Sequence, residues 1–398
     1  MVLAGLLTYL ANRVGSSNVH YLMVSESSVS AFPVHLHSLP KPSATSAIGR
    51  VLTHTLSGRS SMQEAMLGTD KLRQAIDHAL RAVSADLEIY DTVRMAQHAQ
   101  TRPATQMCYL DDLFSERYRA MLKVAERYPD VDLQPLGNFA TYIPSRLRPI
   151  ADHPRSQRLL LRLEQNLVAR SEVRAVEHFD RAILVSEKEA ELLRQRCGVS
   201  VDRVASIPPL ISRRFAMSRD YRGGPEFLFL GLLSLPHNDD GLRTFLAEVW
   251  PRVLAAQPGA RLRVVGRDPR RLLSNAVAKY ADSVTLEGFV PNLDELLSRT
   301  AAMVNPLRFG SGIKLKIIEA LGGGVPVVST GIGAEGLAIG ANYGILQADR
   351  ADRFAEALLE VTDPDRNEQL SQAAEEHFAT HFSRDAVFAK YDDVFGLG

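Results

Sequence analysis

Residues 305–337 read Asn-Pro-Leu-Arg-Phe-Gly-Ser-Gly-Ile-Lys-Leu-Lys-Ile-Ile-Glu-Ala-Leu-Gly-Gly-Gly-Val-Pro-Val-Val-Ser-Thr-Gly-Ile-Gly-Ala-Glu-Gly-Leu. This order predicts a loop, a helix, a strand and a second loop. Apolar residues at 313, 317, 320 and 321 follow helical spacing, and Gly310, Ser311 and Gly312 make a pliant entry to that helix. Backbone N–H groups at a helix start attract anions, and Lys314 in the expected first turn adds a full positive charge, so a phosphate fits there. Gly322–Gly324 stop the helix, and Val325–Val328 read as a buried strand. Gly331, Gly333 and Gly336 then let backbone approach a ligand at the strand's carboxyl end. Glu319 and Glu335 are the acidic groups beside these loops. A packing reading stands next to this one: glycine-rich turns also serve close packing in α/β domains, and Lys316 with Glu319 is an i,i+3 helix pair.

The chain has 398 residues, enough for two domains of ordinary size. Basic and acidic residues number 46 each, so bulk attraction to nucleic acid is not expected. Two cysteines, Cys108 and Cys197, with no Cys/His cluster at ligand spacing, argue for a reducing compartment, two core thiols and no structural metal. The apolar start Met1–Ala11 lacks a basic flank and a small-residue cleavage pattern, and it is too short to span a bilayer, which makes it an amphipathic first helix. A cytoplasmic location is expected.

Outward from the opening stretch, the N-terminal part predicts a helix over Leu3–Val14, a strand over Asn18–Ser25, and an irregular connection over 26–60 with His35 and His37 in solvent. A single helix over Ser61–Ser84 and strands at Leu87–Tyr90 and Gln106–Leu110 follow. The second of these strands ends at Asp111 and Asp112, where open α/β sheets place their chemistry and where an acidic residue also caps a following helix. A turn-rich loop at Leu136–Pro144 precedes a long polar helix over Ser156–Phe179. Strands at Arg181–Ser186 and Val204–Pro209 flank a helix at Glu187–Cys197. The polar stretch 212–226 reads as the domain boundary. Beyond it, strands at Phe227–Gly231, Arg261–Gly266, Val284–Phe289 and Met303–Pro306 alternate with helices at Gly241–Leu254 and Leu293–Thr300. That spacing argues for a parallel sheet with right-handed crossovers. Two Rossmann-like domains facing across a cleft are the expected α/β architecture, over 1–215 and 222–380, with a last helix in 381–398.

Phe-Leu-Gly from Phe229, Pro-His-Asn-Asp-Asp-Gly-Leu from Pro236, Leu-Arg-Val-Val-Gly from Leu262, Glu-Gly-Phe-Val-Pro from Glu287, Gly-Ser-Gly-Ile-Lys from Gly310 and Gly-Val-Pro-Val-Val-Ser-Thr from Gly324 fall in one order. Together they resemble the retaining GT-B glycosyltransferases of the group often called family 4, in its Gly-Ser-Gly-Ile-Lys subgroup. The resemblance is fainter through Asp111–Tyr118, His178–Glu187 and the final helix, which in such enzymes returns to the first domain. It implies a nucleoside-diphosphate sugar as donor substrate, no cofactor, no metal, and a glycan, lipid or small-molecule acceptor read by the first domain, with peripheral membrane contact open.

Residue by residue, Glu319 matches the carboxylate that typically bonds the donor ribose, and Ser311 stands where relatives carry a glutamate for the sugar. The cations that usually clamp the diphosphate are absent after Gly231, which leaves Lys314 and Arg308 as the resemblance's candidates. Gly266 matches a glycine close to the nucleotide, and Phe289 with Val290 the loop that holds the base. Asp111 and Asp112 fall where relatives carry a His-Asp pair that orients or deprotonates the acceptor. Relatives also carry a strand and a Gly-rich loop ahead of the helix that begins here at Leu3, so either more chain lies upstream or a cleft loop is missing. A non-catalytic binding or scaffold protein and a sugar-nucleotide epimerase are the rival readings.

Overall fold

The computed structural model describes residues 2–24, 34–127, 153–211 and 219–397. These fall into two compact units: one holds the described residues up to Pro208 and again from Phe388, the other the described residues of Pro209–Val387.

The second unit is built on six strands: β7 (Glu226–Leu230), β8 (Arg261–Val265), β9 (Val284–Gly288), β10 (Ala302–Asn305), β11 (Val327–Ser329) and β12 (Ile345–Gln347). They form one sheet in the order β12-β11-β10-β7-β8-β9, and each neighbouring pair is parallel. Strand side chains alternate between faces, and here both faces are covered. Phe227 and Phe229 pack with Trp250, Phe245 and Leu262 on one side, while Leu228 and Leu230 pack with Met303, Ile317 and Leu321 on the other. This double burial explains why the strands are continuous apolar runs. The helix expected over Gly241–Leu254 is two, Pro236–Glu248 and Trp250–Ala256, and a helix at Arg271–Ala278 joins β8 to β9. Pro236 and Pro251 sit in the first turns of the two helices, where a missing N–H costs nothing.

In the first unit, β3 (Leu87–Asp91), β4 (Thr105–Asp111), β5 (Arg181–Leu184) and β6 (Val204–Ser206) form a parallel four-stranded sheet in that order. A separate parallel pair joins β1 (His20–Val24) and β2 (His35–Leu39). The region expected to be irregular over 26–60 is thus ordered in good part, with a helix at Ala44–Arg50 after β2. His35 and His37 are strand residues, and His37 Nε2 lies 2.9 Å from His20 Nδ1. Polar strand composition hid this element, because its pairing partner is the equally polar start of β1. The expected helix over Ser61–Ser84 is broken into Met62–Leu67 and Asp70–Val83, each with a side-chain N-cap, Ser61 and Thr69. Cys108 is buried, whereas Cys197 is half-buried at a helix end. The loop at Leu136–Pro144 and most of the expected boundary, 212–218, lie outside the described residues.

The final helix, Arg384–Phe395, gives its residues from Phe388 onward to the first unit. Asp392 accepts from Tyr9 Oη at 2.8 Å and from Arg13 Nε at 2.7 Å, and Tyr391 stacks on Tyr9 with ring centres 4.6 Å apart. The first and last helices are therefore joined by an aromatic stack and a charge-assisted clasp.

The Pro154–His178 helix carries buried acids. Glu164 is 2% exposed; its Oε1 accepts from the Met62 N–H at 2.7 Å, and its Oε2 has no partner. Burial, with Glu64 nearby, pushes its carboxyl up to about 7. A native value above the unfolded one means that folding takes up a proton, so stability falls as pH rises from about 4.5 to about 7 and stays low beyond. Glu164→Gln keeps the acceptor and removes the charge. It is expected to gain roughly 1–3 kcal/mol at pH 8 and little at pH 4.5, read as the thermal midpoint of the first unit's transition at the two pH values. Equal gains at both would reject this account.

Candidate functional site

The order of the second sheet reverses between β7 and β10: from β7 the chain adds strands toward β9, then returns to β10 and builds toward β12. Parallel sheets bind ligands in the crevice outside the carboxyl ends at such a point. The loops that follow β7 and β10 meet there. Arg308, just after β10, is held bidentately by Asp240 at 2.8 and 2.5 Å, and Asp240 itself is buried on the helix that follows β7. Gly241 permits this approach, since a Cβ there would lie 2.8 Å from the Pro306 carbonyl oxygen.

The helix after β10 starts at Leu315, not in the preceding glycines, and runs to Gly322. Gly310 and Gly312 have φ of 133° and 72°, conformations that hold the entry loop open and delay the helix. Lys314 is accordingly the N-cap and not a first-turn residue, and its Nζ donates to the carbonyl oxygens of Ser311 (3.0 Å) and Gly312 (2.5 Å). This lysine closes the loop over its own backbone. Lys316 lies in the first turn of this helix. Its Nζ lies 3.3 Å from Asn238 Oδ1 and 4.4 Å from the centre of the Phe229 ring, so it reaches across to β7. Desolvation, with the Lys314 charge beside it, pulls its ammonium down to about 7. A buried lysine pulled down in that way marks a candidate functional position. Glu319 follows one turn later on the same helix.

The remaining expected positions are placed as follows. Gly266 follows β8 directly, and its missing side chain is used by the protein: a Cβ would sit 1.8 Å from the Gly231 carbonyl oxygen. Gly333 has the same character, with Ser329 Oγ 2.4 Å and Asn305 Nδ2 2.6 Å from where its Cβ would be. Glu335 is half-buried in the turns after β11. Phe289, just past β9, is 62% exposed with the Arg267 guanidinium 4.4 Å above its ring, while Val290 packs partly buried against the core. An exposed ring under a cation is a ready platform for a flat heterocycle.

Asp111 and Asp112 belong to the first unit. Asp111 closes β4 with φ 66°, and burial, followed by the charges of Asp112 and Asp91, pushes its carboxyl up to about 6. Asp112 is paired with Arg117. Asp91 ends the adjacent β3, so two strand ends side by side carry acids. The sequence reading missed Asp91, Asn238 and Lys316. For Lys316 the signal was the helix start: with the first turn placed at Leu315, it becomes an N-terminal cation.

Residues 224–363 match the family profile described as glycosyl transferases group 1. That stretch of the second unit is similar to glycosyl transferases group 1. An uncharacterized 44.6 kDa protein in the cps region of Klebsiella pneumoniae is 32% identical over 123 residues, 29% of this chain and 31% of that one. The chain's matches span less than a third of the length of the curated relatives concerned. Among solved structures, sucrose-phosphate synthase from Thermosynechococcus elongatus is similar with a TM-score of 0.66 at 15% identity, covering 99% of this chain and 92% of that one. Anabaena HepE, solved with UDP, has a TM-score of 0.63 at 11% identity, covering 99% and 96%. The fold is GT-B. Among the described residues, no helix is long and apolar enough to cross a membrane and no group of three or more His, Cys, Asp or Glu residues could hold a metal ion.

Proposed function

We propose that this protein transfers a hexosyl-type sugar from a nucleoside-diphosphate sugar to an acceptor hydroxyl, with retention and without a metal or cofactor, in the cytoplasm. The observation that carries this reading is the pair Lys314 and Lys316 at the start of the Leu315–Gly322 helix, beside the β7/β10 reversal of a domain similar to glycosyl transferases group 1. As the glycosidic bond breaks, negative charge grows on the departing diphosphate. Lys316 and the helix N–H groups meet that charge without reorganising. Glu319 accepts from the ribose hydroxyls and the Phe289 face carries the base. Asp111, raised toward neutrality and free to hold or give up a proton near pH 6, orients the acceptor hydroxyl.

Titration calorimetry with a panel of nucleoside diphosphates tests the donor assignment. Glu319→Ala is expected to weaken the preferred nucleoside diphosphate by roughly 10- to 100-fold, the worth of hydrogen bonds to a charged group. Parental affinity in that variant would sink the ribose role. Ser311, standing where the resemblance places a glutamate, favours one other reading, a non-catalytic GT-B binding protein. Donor binding without sugar transfer to any offered acceptor would select it, and the anomeric configuration of a product would decide retention.

A further inference from the structure

Three histidines share one face of the β1/β2 pair in the first unit. In the parallel register His20 lies opposite His35 and Leu22 opposite His37, so alternation along the strands puts His20, His35 and His37 on the same side. His20 and His35 are exposed, and His37 is half-buried. Two of the rings meet through their nitrogens. His20 Nδ1 is 2.9 Å from His37 Nε2 while the ring centres are 5.2 Å apart, so both nitrogens lie between the rings. His35 has a different part: it stacks on His20 with ring centres 4.9 Å apart and an interplanar angle of 21°, which braces that ring.

Two imidazole nitrogens that face each other this closely share either one hydrogen or one metal ion. In a neutral pair one nitrogen donates to the other. Moving that hydrogen to the same ring's second nitrogen frees both lone pairs without any net loss of a proton. Bond lengths then say which ion fits. Metal–imidazole bonds run about 2.0–2.1 Å, so two nitrogens 2.9 Å apart subtend roughly 90° at an ion bonded to both. Tetrahedral zinc asks for a wider angle, whereas right angles between neighbouring ligands belong to tetragonal Ni(II) and Cu(II), ions that imidazole suits. Burial, followed by the charges of His37 and His35, holds His20 below its ordinary value, which keeps that ring in the neutral, ligating form at pH 7.

We propose that His20 and His37 form a two-histidine clip for one divalent nickel or copper ion, seated off the line between Nδ1 and Nε2 and completed by water. The exposed His20 ring and the half-buried His37 ring turn at their side-chain bonds to aim both lone pairs at the ion. Two imidazoles make the clip, and His35 supports it as a stacked neighbour rather than as a third ligand. Its ligands stand 17 residues apart in sequence, one on β1 and one on β2, so a bound ion ties the two strands together and stabilises the folded first unit by mass action. The clip lies within that unit. It does not rest on the sugar-transfer reading, whose chemistry uses neither histidine.

The test titrates the tag-free 398-residue chain, first stripped with a chelator, with Ni(II), Cu(II) and Zn(II) in a calorimeter. One nickel ion per chain is expected, held more tightly than zinc. His20→Gln and His37→Gln are each expected to weaken nickel binding about a hundredfold or more, the worth of the second arm of a chelate. Electron spin resonance of the copper-loaded parent gives a readout that needs no variant, and splitting by two imidazole nitrogens is expected. Saturating nickel should raise the thermal midpoint of the parent and leave that of the His20→Gln/His37→Gln double variant unchanged. The proposal is overturned if the parent binds nickel no better than the double variant does, or if the copper spectrum shows a single nitrogen. Zinc binding tighter than nickel binding overturns the right-angle seat.

Discussion

Lys316→Met is expected to lower sugar turnover by two to three orders of magnitude while leaving the second unit folded. Removing one preorganised charge from a transition-state site costs about 3–4 kcal/mol, which is this factor. Methionine retains much of the stem that packs over Phe229, and exchanging a desolvated ammonium for an apolar group at equal volume is commonly neutral or stabilising. Loss of activity with loss of fold would therefore not be the expected signature. The pH profile separates the role further. With its ammonium pulled down to about 7, the free protein holds Lys316 largely neutral at pH 8, and a bound diphosphate draws the proton back. Nucleoside-diphosphate affinity should fall by up to tenfold per pH unit above about 7 in the parent and be flatter in Lys316→Met. A parent profile that is level from pH 7 to 9 would remove Lys316 from the phosphate.

Gly266→Ala is expected to destabilise the second unit by at least about 3 kcal/mol. One added carbon would meet the Gly231 carbonyl oxygen at 1.8 Å and Leu233 Cγ at 3.0 Å. Neither side can retreat. Gly231 N–H is bonded to the Val265 carbonyl at 3.1 Å, Leu233 N–H to the Arg267 carbonyl at 3.0 Å, and Gly266 N–H to the Gly288 carbonyl at 2.8 Å, so the β7 loop and β9 pin the residue from both directions. The thermal midpoint of the second unit's transition checks this. A variant within about 2 °C of the parent yet deficient in nucleotide binding would return Gly266 to the ligand-approach role that the resemblance implies.

The second unit was the legible half. Its strands are buried on both faces, so Phe227–Leu230 and Val325–Val328 announce themselves as apolar runs between glycine-marked turns. The helix at Arg271–Ala278 escaped notice because it buries little more than Leu273 and Val277 and shows no long stripe. Strand β12 escaped because three residues are too few for any period. In the first unit β2 was hidden by its histidines and serine, which suit solvent until a neighbouring strand is known. At the site, residue types were readable and directions were not. Lys314, Lys316 and Arg308 differ in what they face only through where a helix begins and where the buried Asp240 lies, and neither follows from local pattern.

The clasp between Tyr9 and Asp392 has a consequence for how the polypeptide acquires its shape. The first unit is discontinuous in sequence, so its Val2–Val14 helix waits for a stack that is translated only after all of Pro209–Val387. During synthesis the second unit, through Val387, can finish while Tyr9, fully buried in the native protein, is still without its cover. A nascent chain stalled before Phe388 thus presents an apolar first helix to its surroundings, and the order of completion runs opposite to the order of translation.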